Sequence, residues 1–437
     1  MNTTFPRVLF LTPLGFNHIT GTGVTFTSLF TGWPKDALLT VTGDNIPVSR
    51  DVCDRYFFLT PRELDFIFPF DRLYPRQPSA FAEEGNASPA PAAPRSLVVR
   101  LGKKIIGGAG IPDKGVLSAE LAAAVAAFAP EVIHTIPGSV GYIDLAAALA
   151  AASGAPLVVH IMDDGVTSPR QPGLFGPYLR RRYRRKFQGL LPRVTRAVAI
   201  CEMMAAEYQG RYGRRFVFFQ HTVDTASVPA PVASEPQSGR PFRLLYVGAV
   251  TPQAQLQSLL DCSLAVKALN ERGFAVSLTI RTPLAYLPVP PERMCPHPAV
   301  TVEDVPPTDA AFFQALAEAD GLLLPVNFDP LSVHFIRLSM PTKVPGYMAS
   351  GTPILVYGPP HTAQVDYAAK SGWGLVVPRR DPEALAAAIR RLATDAALRR
   401  RLSETARRAA RENHDAAVVR QGFREMLWEA AREGAGA

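Results

Sequence analysis

The chain of 437 residues lacks any run of 18 apolar residues although 47% of it is hydrophobic, so no membrane-spanning helix is expected. Its N-terminus lacks the pattern of a secretory signal. Cysteine is scarce. Cys53, Cys201, Cys262 and Cys295 are scattered without metal-like spacing, which fits apolar packing in a reducing cytoplasm. Asp163 and Asp164 make no metal signature on their own. Acidic residues are absent between Asp164 and Glu202, and the net charge is +8. That balance favours acidic partners: nucleotides, phosphorylated lipids, an anionic membrane or nucleic acid. Nucleic acid is disfavoured, because no aromatic–glycine recognition motif accompanies the charge.

What the chain does have is length for two or three domains and one informative segment, 339–356 (SMPTKVPGYMASGTPILV). Ser339 or Thr342 can cap a short helix, and Pro341 and Pro345 are tolerated only before or within its first turn. Gly351 stops the helix, and 354–356 resumes as a buried strand. First-turn N–H groups have no intrahelical partners, and Lys343 adds a positive charge beside them. Such an end suits a phosphate or diphosphate. An ordinary loop–helix–strand connection with a surface lysine is the plainer alternative.

Around this segment, strands and helices alternate. In the first half, strands are predicted at 7–12, 37–42, 131–134 and 157–161, with helices at 117–128 and 143–152. Gly21-Thr22-Gly23 reads as a loop after the first strand, and 78–95 and the glycine cluster 107–110 read as irregular. In the second half, strands are predicted at 243–248, 275–281, 321–325 and 373–377, and helices at 256–272, 310–319 and 382–392. The spacing argues for doubly wound parallel sheets, an α/β class, and two such units would place a nucleotide in a cleft at strand ends. The stretch 384–430 is nearly all helical, with a break at His414 and Asp415.

In order and spacing the motifs resemble a family 4 type glycosyltransferase of the GT-B fold, over nearly the full chain. The carriers are Gly21-Thr22-Gly23, 130–134 (PEVIH), 159–164 (VHIMDD), 197–204 (AVAICEMM), 219–224 (FQHTVD), 246–248 (YVG), 319–325 (ADGLLLP) and 339–351. The resemblance implies two Rossmann-like domains facing across a cleft. The acceptor domain spans 1–225, a linker 226–241, the nucleotide-sugar domain 242–415, and a helix at 416–437 crosses back. It implies a retaining transfer from a nucleotide sugar to a glycan, lipid-linked or small-molecule acceptor, as in cell-envelope or secondary glycan biosynthesis, with no metal and no cofactor beyond the co-substrate. Donor-binding roles are implied for Ser339, Pro341, Thr342, Lys343 and Gly346, with Arg281 as a compensating cation. His160 and Asp163 are the catalytic candidates. Gly21, Thr22, Gly23 and His134 are candidates for an acceptor or phosphate loop.

The sequence also departs from that family. Gly346 stands where its members usually carry the Glu that binds ribose, Leu338 at the upstream acidic position, and Ala249 and Ala254 where an Arg and a Lys often bind diphosphate. A catalytically silent binding protein and a sugar-nucleotide epimerase, which would use His134, His160 and Asp163, are therefore the alternatives. Finally, Leu179, Tyr183, Phe187 and Leu190 recur at helical spacing in an arginine-rich stretch. They form either a core-facing stripe or, through 179–191, a peripheral contact with the inner face of the membrane. The expected location is the cytoplasm.

Overall fold

The computed structural model describes residues 5–43, 46–67, 112–165, 174–229 and 240–435. The segments 78–95 and 107–110, and the 230–239 part of the expected linker, lie outside the described residues. The chain divides into two compact units, Met1–His221 with Val419–Ala437, and Thr222–Val418.

The first unit is built on β1 (Val8–Thr12), β2 (Leu38–Thr42), β3 (Tyr56–Phe58), a short antiparallel pair β4 (Leu64–Asp65) and β5 (Lys114–Gly115), then β6 (Val132–Thr135), β7 (Leu157–Ile161), β8 (Val194–Ala199) and β9 (Phe216–Phe218). The seven-stranded parallel sheet has the order β3-β2-β1-β6-β7-β8-β9. Its central strands are buried throughout, which is why they read as unbroken apolar runs rather than alternating ones. Strand order reverses between β1 and β6, the point beyond whose carboxyl ends open sheets of this kind bind ligands.

One face of this sheet presents Val8, Phe10, Val132, Val158 and Val198 to two helices. The first, Gly21–Phe30, contributes Phe26, Leu29 and Phe30; the last, Ala416–Ala435, contributes Phe423, Met426, Leu427 and Ala430. Phe30 and Phe423 meet edge-on at 5.1 Å, and Arg420 Nε donates to the Ser28 carbonyl at 2.7 Å. The break before the last helix has a local cause: Val223 donates to the His414 carbonyl and accepts from Ala416 N–H, both at 2.9 Å, so the chain detours through a strand-like bridge.

Helix Gly176–Leu190 buries Leu179, Phe187 and Leu190, so the apolar stripe predicted there faces inward. Tyr183 Oη donates to the Pro137 carbonyl at 2.5 Å, and Lys186 Nζ to Asp144 at 2.7 Å. Among the described residues no helix is long and apolar enough to cross a membrane.

The second unit has β10 (Phe242–Val247), β11 (Val276–Arg281), β12 (Val300–Glu303), β13 (Gly321–Pro325), β14 (Ile354–Tyr357) and β15 (Gly374–Val377). The order β12-β11-β10-β13-β14-β15 puts its reversal beside β10. Leu244 and Tyr246 enter one core and Leu245 and Val247 the other, as the two-residue period of a doubly covered strand requires. The signature segment folds as helix Lys343–Ser350, with Thr342 at its N-cap and Gly351 at its C-cap in the left-handed region at φ 74°.

Candidate functional site

At the carboxyl end of β10 the chain passes from Tyr246 and Val247 into Gly248 and the exposed Ala249. Helix Lys343–Ser350 starts beside this turn and is pinned to it. The Tyr347 hydroxyl accepts from Val247 N–H at 2.7 Å and donates to the Val247 carbonyl at 3.2 Å. One turn earlier, the Lys343 ammonium donates to Tyr246 Oη at 2.7 Å and lies 3.9 Å from the centre of that ring. Tyr246 passes its own proton to the Ala249 carbonyl at 2.6 Å.

Gly248 makes this arrangement possible. Its φ of +136° is a conformation side chains rarely adopt, and a Cβ there would sit 2.5 Å from Lys343 Nζ. The ammonium has no carboxylate partner among the described residues, and burial pushes its pKa down to about 7. Of the first-turn groups, Val344 N–H is taken by the Pro341 carbonyl at 3.2 Å and Pro345 has none. The N–H groups of Thr342 and Lys343 find no acceptor among the described residues. The Thr342 hydroxyl makes no cap bond, contrary to its expected capping role, and Ser339 N–H bonds back to Ile336. Among the described residues, two N–H groups without an acceptor and a part-buried cation therefore share one helix end.

The other donor candidates are placed differently. Arg281 lies next to the turn, its carbonyl accepting Gly248 N–H at 2.9 Å, but its side chain pairs with Glu303 at 3.0 Å. Gly346 is buried beneath an aromatic pair: a Cβ on it would meet Phe312 Cε1 at 3.1 Å and Phe313 Cε1 at 3.7 Å. No side chain grows from this position into the site, and Leu338, at the upstream acidic position, is core. Ala254 is buried and accepts from Asn327 N–H at 2.8 Å, so its position belongs to the packing under the turn.

In the first unit several expectations are corrected. His134 and His160 are 0% exposed and stand edge-to-face at 5.5 Å among Phe10, Phe26, Phe30 and Phe423. They project from β6 and β7 onto the covered face of the sheet, not out along the strand ends. Burial drives His134 well below the usual imidazole range and His160 to about 3, so both are neutral and closed off from any substrate. Gly21, Thr22 and Gly23 are not a loop but the first turn of helix Gly21–Phe30, capped by Thr20, whose hydroxyl accepts from Gly23 N–H at 3.1 Å. Gly23 is glycine because the buried Asn17 amide, which holds Thr20 N–H at 2.8 Å, would lie 2.1 Å from a Cβ there. Asp164 is committed to structure, accepting from Tyr208 and Arg211, each at 2.9 Å. Asp163 is part-exposed at the end of β7. Among the described residues no cluster of His, Cys, Asp or Glu could hold a metal ion.

Sequence reasoning named Lys343 and took 246–248 as a family marker, but missed Tyr347 and the part that Tyr246 and Gly248 play in shaping the surroundings of Lys343. The pattern Tyr246-Val247-Gly248 at a strand end was the available signal, since only glycine tolerates the turn that brings Lys343 against Tyr246.

Residues 70–218 match the family model of the glycosyl transferase 4-like domain. No curated protein sequence matches the chain. Its fold is shared with Anabaena HepE in complex with UDP, at 13% identity and a TM-score of 0.62, covering 97% of this chain and 100% of that one. It is likewise similar to sucrose-phosphate synthase of Thermosynechococcus elongatus, at 14% identity and TM-score 0.63 over 97% and 98% of the two chains. The α,α-trehalose 6-phosphate synthase of Burkholderia multivorans matches at 13% identity and TM-score 0.61 over 99% of each. The fold is the one these GT-B glycosyltransferases share, and the match to the glycosyl transferase 4-like model falls in the first unit.

Proposed function

We propose that the chain moves a sugar from a nucleotide-diphosphate donor to a glycan, lipid-linked or small-molecule acceptor, with retention of configuration. The supporting observation is Lys343: a part-buried ammonium with no carboxylate partner among the described residues, next to two N–H groups that find no acceptor among them, at a helix N-terminus. Breaking a sugar–phosphate bond leaves charge on the departing diphosphate, and donors already aimed at that charge need no reorganisation. Arg281 can join them by leaving its surface pair with Glu303, since such a pair holds it by about 1 kcal/mol or less. Retention follows the resemblance, in which the leaving phosphate itself takes the acceptor's proton. Asp163 is the first-unit carboxylate we assign to the acceptor side. A setting in cell-envelope or secondary glycan biosynthesis follows the same resemblance.

UDP and UDP-glucose are named for the HepE structures, so UDP-sugars are the first donors to try. The epimerase reading loses support, because the histidines it would use for acid and base are buried and neutral. The test is incubation of the pure protein with UDP-, GDP-, ADP- and TDP-sugars, followed by NMR. Slow release of one nucleotide, lost in Lys343→Ala, is the expected result. A sugar epimerised with its nucleotide still attached, or release unaltered by the substitution, would overturn the proposal.

A further inference from the structure

Helix Gly176–Leu190 has an inner face fully used by the core and an outer face that is not. Tyr178, Arg181 and Arg185 recur at the spacing that puts side chains in one line along a helix, and Leu174 lies in the turn just before its first residue. Leu174 is 76% exposed, Tyr178 51% and the neighbouring Phe175 40%. Arg181, Arg184 and Arg185 are exposed and pair with no carboxylate among the described residues, whereas Arg182 and Lys186 reach Asp113 and Asp144. Compensation from the chain's own neighbourhood is limited by composition, because no acidic residue occurs between Asp164 and Glu202.

We infer that this outer face docks on an anionic lipid bilayer, with Leu174 and Tyr178 entering the headgroup boundary and the arginines meeting lipid phosphates. The two halves of the line demand different things of a partner. Apolar side chains as exposed as Leu174 gain only where water is displaced, and tyrosine favours the level where acyl chains meet headgroups. Guanidinium groups with free donors match phosphate oxygens in pairs. A charged duplex would satisfy the arginines and leave Leu174 and Tyr178 in water. An acidic bilayer satisfies both, because Tyr178 shares one side of the helix with Arg181 and Arg185 and Leu174 lies in the turn at its start. The inference concerns the first unit alone and stands whether or not Lys343 binds a nucleotide. It also moves the contact off the stripe of Leu179, Phe187 and Leu190, which is core.

The test uses the full chain in flotation with vesicles of phosphatidylcholine alone and of phosphatidylcholine mixed with phosphatidylglycerol. Wild type is expected to float with the mixed vesicles only, and to be released by salt. Arg181→Glu with Arg185→Glu should lower partitioning by about 25-fold or more, at about fivefold per arginine removed. Leu174→Ser with Tyr178→Ser, which leaves the charge unchanged, should also weaken binding several-fold. All four positions are solvent-facing, so both variants should melt as wild type does and release nucleotide at the Lys343 site as before. No binding of wild type to mixed vesicles, equal binding to neutral ones, or wild-type binding by both variants would overturn the inference. So would binding to a duplex oligonucleotide that the arginine variant loses while vesicles bind neither protein.

Discussion

Both units are parallel sheets with a reversal of strand order near the first strand, yet they bury titratable groups in opposite ways. In the first, His134 and His160 lie within strands, and strand side chains point to the faces of a sheet. Helices cover that face, so the imidazoles end among phenylalanines with no access to solvent. In the second, Lys343 sits on the first turn of a helix that begins at the carboxyl end of β10. Its ammonium meets Tyr246 beside the turn at the carboxyl end of that strand, the end at which open sheets of this kind bind ligands. Burial of a titratable group is therefore not itself a mark of function. What counts is whether the group is buried within a face or at an end.

The sharpest way to break this comparison is to remove each buried group in turn. Lys343→Ala should lower kcat/KM for donor turnover by about 10²–10³-fold, the usual loss when one preorganised donor to a developing anion is deleted. His134→Leu should leave turnover unchanged and raise the melting temperature. Neither ring nitrogen of His134 is hydrogen-bonded among the described residues, and such an orphaned group costs about 1–3 kcal/mol. Steady-state kinetics and thermal melts on the two variants decide the matter. A large loss of activity in His134→Leu would show that the first unit's polar core takes part after all.

A smaller effect separates two glycines that look alike in the sequence. Gly248→Ala should cost about 1–3 kcal/mol of stability through its left-handed backbone. It should also weaken nucleotide binding, because the new methyl displaces Lys343 Nζ from 2.5 Å away. Gly23→Ala also clashes, against the Asn17 amide at 2.1 Å, and should destabilise by a comparable amount while leaving nucleotide affinity intact. Denaturant melts and calorimetric titration with UDP on both variants test the distinction. Equal losses of affinity would place the Gly23 turn in the nucleotide site.

Much of the layout was legible because parallel strands are buried on both faces and leave unmistakable apolar runs, as at 157–161 and 321–325. The signature helix was legible from its prolines and Gly351. Less was legible where the decisive fact is three-dimensional. A histidine after Val158 and Val159 reads as a strand-end residue, but the sequence does not show that Phe423, over 260 residues later, closes the same face. Likewise Gly21-Thr22-Gly23 looks like a phosphate loop until Asn17 is seen occupying the space that Gly23 leaves. The conspicuous Gly346 has a packing reason in Phe312, which comes from another helix.

The smallest expected effect is also the most diagnostic of the second unit, and it concerns protons. Burial lowers Lys343 from 10.5 to about 7, so the free protein holds that proton more weakly than the unfolded chain does. By linkage, the stability contributed at this site is full above 10.5 and is lost as the pH falls through about 7, so unliganded stability should rise across that window. A bound diphosphate reverses the balance, because a nearby anion favours the ammonium. Binding at about one pH unit above the lowered value should then take up nearly one proton per nucleotide, and about one unit below it almost none. Calorimetry in buffers of different ionisation enthalpy measures that uptake directly. Lys343→Arg keeps its charge at every pH, so its uptake should vanish even if affinity survives. Uptake that persists in the arginine variant would assign the proton to another group. Absence of uptake in the wild type would mean that the phosphate does not sit on Lys343, and the contrast between a face-buried and an end-buried group would lose its functional meaning.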